Sequence, residues 1–331
     1  MTGQGVLVAA QGLRKEFDLR RGLRRFVHAP AGNLVRAVND IDLDIRRGET
    51  LGLIGESGCG KSTVGRTLLH LQEPSAGRVV FDGIALATLA PAELTRLRRR
   101  MQIVFQDPYT SLNPRRTVEQ IVGLGLAIHL GLGAAQIRDR VVAMLERVGL
   151  SASHLSRYPH QFSGGQRQRI GLARALVLHP DFVVCDEPVS ALDVSIQAQV
   201  IDLIGELKRE LGLTYLFISH DIAVVGYLAD TVAVMYLGSI VERGPARRVL
   251  AQPAHPYTRA LLSAVPAVDR PRGTPRIRLS GDVPSPLRPP AGCAFHTRCP
   301  SAMEICRTVP PRPTALEGGH SVSCHLHPGT S

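Results

Sequence analysis

Short apolar runs alternate along the chain with stretches in which apolar positions recur at helical spacing. Residues 7–17 predict a first strand ending in an aromatic. Residues 37–45 (AVNDIDLDI) alternate apolar and polar positions, as a half-buried strand does. An apolar run at 49–54 (ETLGLI) leads into a glycine-rich stretch, and residues 62–71 have helical periodicity. Residues 77–81 predict a strand ending in an Asp82-Gly83 turn, 94–100 a short basic helix, and 101–105 a short strand with Gln106 at its end. From 117 to about 150 the period is helical in two segments, broken around Gly131 to Gly133, and 170–178 resumes a helix after a polar stretch at 158–168. Residues 182–185 (FVVC) and 214–219 (TYLFIS) are continuous apolar runs of the kind found in buried parallel strands, separated by an amphipathic helix at 194–211. Residues 231–236 and 239–242 suggest a closing hairpin. The predicted fold is α/β, with any ligand at the carboxyl ends of parallel strands. The helices between 117 and 178 interrupt the alternation and predict an inserted helical subdomain, about 107–178. Beyond about Pro266 the composition shifts to Pro, Arg and Gly, which marks a linker.

Composition narrows this picture. The chain has 331 residues, 44% of them hydrophobic, enough for one large core and an appendage. No apolar run reaches the roughly 18 residues needed to cross a bilayer, and the N-terminus lacks a basic start followed by a long apolar segment, so a cytoplasmic protein is expected. The net charge of +11 would suit a nucleic acid or an anionic membrane. The arginines are scattered, however, with clusters only at 20–25 and 96–100, and a solvated basic surface accounts for them equally well. Six cysteines in a chain this long do not indicate a secreted disulfide scaffold, but four of them fall late.

The glycine-rich stretch Gly55-Glu56-Ser57-Gly58-Cys59-Gly60-Lys61-Ser62-Thr63 fits G-x-x-x-x-G-K-[ST] and lies between a predicted strand and a predicted helix. Glycines let the backbone curl so that successive N–H groups face one anion, and the helix adds its positive end. Lys61 is expected on the β- and γ-phosphates of a nucleotide, Ser62 on Mg²⁺, and Thr63 as a further phosphate contact. Hydrolysis needs a metal-orienting acid and a base. Asp186, ending an apolar strand, suits the first role through water, and Glu187 suits the second by accepting a proton from the attacking water.

Four further elements carry a family resemblance. Gln106, Ser163-Gly164-Gly165-Gln166 within QFSGGQRQR, Ser190-Ala191-Leu192-Asp193 and His220, in this order along the chain, resemble the Q-loop, signature, D-loop and switch histidine of ATP-binding-cassette (ABC) transporter ATPases. The resemblance implies a P-loop NTPase with an N-terminal antiparallel β-subdomain. It implies ATP closed between two cassettes, Ser163 to Gln166 facing the nucleotide of the opposite subunit and Asp193 meeting the interface. His220 would sense the γ-phosphate, and Gln106 would link metal and water to the helical subdomain. Phe17 is similar to the adenine-stacking aromatic, with a core role as the alternative.

The stretch Gln106 to Arg115 (QDPYTSLNPR) and His255-Pro256-Tyr257-Thr258 with Ala260-Leu261-Leu262 are similar to segments of peptide and nickel importer ATPases, as is the late Cys293, Cys299, Cys306, Cys324 set. The expected division is a cassette at 1–250 and a C-terminal oligopeptide/dipeptide-transporter-type domain at 251–331. The implied assembly holds a second, sister ATPase, two membrane permeases and an extracytoplasmic binding protein, with the chain peripheral on the cytoplasmic face of the membrane and no nucleic acid. A nickel or other small-solute importer, an exporter, and a soluble cassette ATPase acting on nucleic acid are the alternatives. The four late thiols match no common zinc-finger or ferredoxin spacing. In a segment too proline-rich to build much core they suggest a staple. The resemblance favours a [4Fe–4S] cluster, with zinc or unliganded cysteines as alternatives, and His296, His320, His325 and His327 leave mixed zinc ligation open. Cys59 is expected to be oxidisable and Cys185 to be plain core.

Overall fold

A computed structural model describes residues 5–18, 34–264 and 277–327. The basic loop expected between the first two strands, and the start of the linker beyond Pro266, lie outside the described residues. The chain divides into two compact units, one made of the residues up to Leu7, Ile45–Thr50 and Phe81–Ser219, the other of Val8–Asp44, Leu51–Val80 and the residues from His220 onward.

In the first unit, strands Met101–Val104, Phe182–Asp186 and Thr214–Ile218 run parallel, Met101 opposite Phe182 and Phe182 opposite Thr214. Every residue of the last two is buried, as their unbroken apolar sequence requires. Arg100 ties the edge: its Nε donates to Asp181 at 2.5 Å and its Nη2 to Asp82 at 2.6 Å. The second of these bonds, with one from Arg47, holds the Asp82 carboxyl below its ordinary pKa. Helices Val118–Leu130, Ala134–Arg147 and Gly164–Leu176 pack on one another. The first starts in a capping box between Thr117 and Gln120 and stops at Gly131, whose φ of 60° only glycine adopts freely. The third begins at Gly164, six residues before periodicity places it, because Ser163 caps it: Gln166 N–H donates to Ser163 Oγ at 3.3 Å. Arg167 and Gln168 are buried in it, so its polar start conceals a packed face.

In the second unit, strands Leu34–Arg46, Val6–Asp18 and Ala76–Phe81 are neighbours in the antiparallel N-terminal sheet. Five others lie in the order Thr314–Leu316, His320–Val322, Ser239–Pro245, Thr231–Tyr236, Thr50–Ile54. The last two pair in parallel, and Ser239–Pro245 forms the expected hairpin with Thr231–Tyr236, shifted in register between Ile240 and Glu242. The tail was expected to build little core, and here the structure differs. Its two strands extend the hairpin, Glu242 opposite Val322, and Phe295 is 1% exposed against Tyr236 and Tyr257, at ring-centroid distances of 5.2 and 5.4 Å. Three-residue strands carry too little periodicity to be read from sequence. The carboxylate of Glu242, wholly buried, anchors this region. It accepts from Ala254 N–H (2.6 Å) and His255 N–H (3.0 Å) and lies 2.7 Å from His320 Nε2.

Candidate functional site

The glycine loop follows strand Thr50–Ile54 and opens helix Lys61–Leu68. Two of its glycines are obligatory. A Cβ on Gly55 would meet Met235 O at 2.2 Å, and one on Gly60, where φ is 107°, would meet Ala37 O at 2.0 Å. The loop is closed on itself by Cys59 N–H on Glu56 O (3.3 Å) and anchored by Gly238 N–H on Cys59 O (2.9 Å). Lys61, 5% exposed, folds into the curl, its ammonium donating to Gly55 O at 2.7 Å and Glu56 O at 3.0 Å. Ser62 and Thr63 are half-buried in the first helical turn. A buried cation inside a glycine cradle at a helix N-terminus is a donor set that fits phosphate. Ser57 and Gly58 are exposed. Cys59 is buried, and burial pushes its thiol pKa up against the lowering effect of Lys61, which argues against the oxidisable cysteine expected there.

Glu56 behaves differently from the rest of the loop. Its N–H donates to Tyr257 Oη at 2.8 Å, so this amide faces the post-cassette helix Pro256–Ser263. Its carboxylate accepts both arms of the Arg298 guanidinium, at 2.7 and 3.1 Å. These bonds hold the Arg298 pKa above its ordinary value. Neither partner was expected, since Arg298 lies 242 residues away in sequence. Phe17, in the same unit, is half-buried with Lys15 Nζ 5.2 Å from its ring centre. His220 is exposed, immediately before Asp221, whose Oδ1 caps helix Ile222–Leu228 through Ala223 N–H at 2.9 Å.

The remaining candidates lie in the other unit. Asp186 ends its strand 1% exposed. Glu187 follows with φ 47°, a backbone conformation unusual for a side-chain-bearing residue and frequent where function imposes it. Gln106 Nε2 donates to Glu187 Oε2 at 2.9 Å, so the two residues assigned from separate motifs meet. Ser190 to Asp193 form a turn held by Gln197, whose Nε2 donates to Val189 O (3.0 Å) and Leu192 O (2.9 Å). Gln197 carries no motif and sequence reading missed it. The signature glycines pack against this turn and the helix after it: a Cβ on Gly165 would come within 2.5 Å of Ile196 Cγ2, and one on Gly164 within 3.3 Å of Leu192. Gln166 Oε1 completes the cap by accepting from Ser163 N–H at 3.1 Å. Asp193 is exposed at the foot of helix Val194–Leu211.

The four tail cysteines are free of disulfides. Burial, and secondarily the proximity of the other three thiols, push Cys293 up to about 11. Among the described residues, no three or more His, Cys, Asp or Glu side chains are gathered as a metal site. The tail is held by its strands, Phe295 and Arg298. Among the described residues, no helix is long and apolar enough to cross a membrane.

A strand-loop-helix phosphate cradle, a capped SGGQ helix and an acidic strand end met by a glutamine together define an ATP-binding-cassette ATPase. The comparisons agree: the ABC transporter family matches residues 38–190, and the oligopeptide/dipeptide transporter C-terminal region matches residues 241–306. The chain is 52% identical over 319 residues to a protein of Brucella ovis named as a peptide import ATP-binding protein, covering 96% of this chain and 97% of that one. It is 48% identical over 328 residues to the oligopeptide transport ATP-binding protein AppF of Bacillus subtilis, covering 98% of each. Among solved structures, it is similar to cbiO1 of Clostridium perfringens, part of the ABC transporter complex cbiONQ (TM-score 0.63, 30% identity, 75% of this chain and 91% of that one). It is also similar to a dimeric ATP-binding cassette, MJ0796, in a post-hydrolysis state with ADP and Pi (TM-score 0.64, 28% identity, 73% and 99%). The chain belongs to the ABC transporter ATPases, in the branch that carries the oligopeptide/dipeptide transporter C-terminal region.

Proposed function

We propose that this chain is the ATP-hydrolysing subunit of an importer that brings di- or oligopeptides across the cytoplasmic membrane. The hydrogen bond between Gln106 and Glu187 carries the hydrolytic part: it fixes, at the end of a buried strand, a carboxylate able to take a proton from water. The names of full-length relatives support the transport part. Lys61, the Gly55 to Thr63 loop and Phe17 bind ATP. Ser62, Gln106 and Asp186 are the residues to hold Mg²⁺, which when bound neutralises developing phosphate charge. Ser163 to Gln166 and Asp193 serve the nucleotide of a second cassette, a sister chain, and His220 senses the γ-phosphate. Two permeases and an extracytoplasmic binding protein complete the assembly, and the chain sits peripherally on its cytoplasmic side. Residues 1–250 form the cassette, with its helical subdomain at about 107–178, and 251–331 form the C-terminal domain. Its four cysteines, all free of disulfides, hold a [4Fe–4S] cluster or zinc.

Replacing Glu187 by Gln in the assembled complex tests the central assignment. ATP binding should persist, the closed dimer should accumulate, and turnover should fall by about 100-fold or more. Wild-type turnover in that variant would remove Glu187 as the base.

A further inference from the structure

The carboxylate of Glu56 has no part in the chemistry of a phosphate loop. Position 56 is one of the unspecified places between Gly55 and Gly60, and a negative charge there opposes a polyphosphate. The structure deals with that charge through the C-terminal region. Arg298 is 8% exposed, and both of its terminal nitrogens are bonded to Glu56, one to each oxygen. A paired fork fixes orientation as well as charge, which a lysine ammonium cannot do. The backbone of the same residue is held by Tyr257 Oη at 2.8 Å. Tyr257 and the tail are in turn one packed body. Tyr257 lies 4.7 Å from Tyr236 and 5.4 Å from Phe295, and Arg298 N–H donates to Phe295 O at 3.0 Å. The guanidinium itself stands 6.0 Å from the Tyr236 ring centre. Thus the second residue of the loop is gripped, backbone and side chain, by two segments that follow the cassette.

We propose that Arg298 is a positioning residue of the nucleotide site: by forking onto Glu56 it fixes the phosphate loop and cancels a misplaced negative charge, so that the C-terminal region raises affinity for a nucleoside triphosphate. This rests on the ATP-binding reading above. A buried arginine removed from its partner leaves an uncompensated carboxylate, and that carboxylate, not the loss of packing, is what repels phosphate.

The test is equilibrium binding of MgATP to the full-length chain at fixed ionic strength, alongside the unfolding midpoint without nucleotide. Arg298→Met should raise the Kd by about 5-fold or more. Arg298→Lys should fall between wild type and Met, and it supplies the comparison if the Met variant does not fold. Adding Glu56→Gln to Arg298→Met should return the Kd to within about 2-fold of wild type. The penalty in Arg298→Met should shrink as salt rises. A lowered midpoint with unchanged Kd would make the pair purely structural and overturn the proposal, as would a weakened Kd that Glu56→Gln does not restore. Absence of MgATP binding by the wild-type chain would overturn the nucleotide reading itself, which the variant series leaves distinct.

Discussion

At the scale of single residues, His255 shows how burial sets chemistry that no motif records. It is 1% exposed, and its Nδ1 accepts the Tyr257 N–H at 3.0 Å, capping helix Pro256–Ser263. That bond requires the neutral ring. Burial, with smaller contributions from His327 and Arg259, lowers its pKa from 6.5 to about 3. A depressed folded-state value means the stabilisation is complete above 6.5 and is lost progressively as pH falls toward the folded value, because the unfolded chain binds the proton first. Between neutrality and about pH 5 this one group should cost about 2 kcal/mol. His255→Asn keeps a capping acceptor that does not titrate, so its unfolding free energy should fall less over the same range; parallel pH profiles would refute the assignment. Lys61, Glu187 and Gln106 were nameable as candidates from the sequence because phosphate and water chemistry restrict residue type. Glu56, Tyr257 and Arg298 were not, because their meaning is a contact rather than a reaction.

At the scale of elements, Gly165 belongs to the stretch expected to face the nucleotide of an opposite subunit, and packing adds a second demand on it. A methyl group there would overlap Ile196, so in Gly165→Ala either the Ile196 side chain must leave its position or helices Gly164–Leu176 and Val194–Leu211 must move apart. The expected cost is about 1–3 kcal/mol in urea unfolding, and Ile196→Ala in the same chain should recover most of it. Additive losses in the double variant would show that the overlap is relieved elsewhere. Long periodic elements were legible: helix Val194–Leu211 and strand Thr231–Tyr236 have the bounds their patterns predicted. Periodicity alone started helix Gly164–Leu176 late because its first turn is polar, while Ser163 to Gln166 marks its true start with a capping box.

At the scale of the whole molecule, the C-terminal region belongs to the same compact unit as the phosphate loop. Whether its thiols also carry a prosthetic group is decided by metal and sulfide analysis of anaerobically purified full-length chain. About four irons and four sulfides per chain would mark the cluster, and about one zinc the alternative. A folded preparation with neither would leave the protein contacts as the whole of what orders the tail. The sequence alone determined the α/β class, the phosphate loop, the acidic pair and the signature, since each follows from local periodicity or from residue types that one chemistry demands. Tertiary structure alone decided that Gln106 meets Glu187, that Gly165 packs against Ile196, and that a tail arginine forks onto Glu56. Those facts depend on which distant segments share a surface, and chain closure over 242 residues leaves no trace in local pattern.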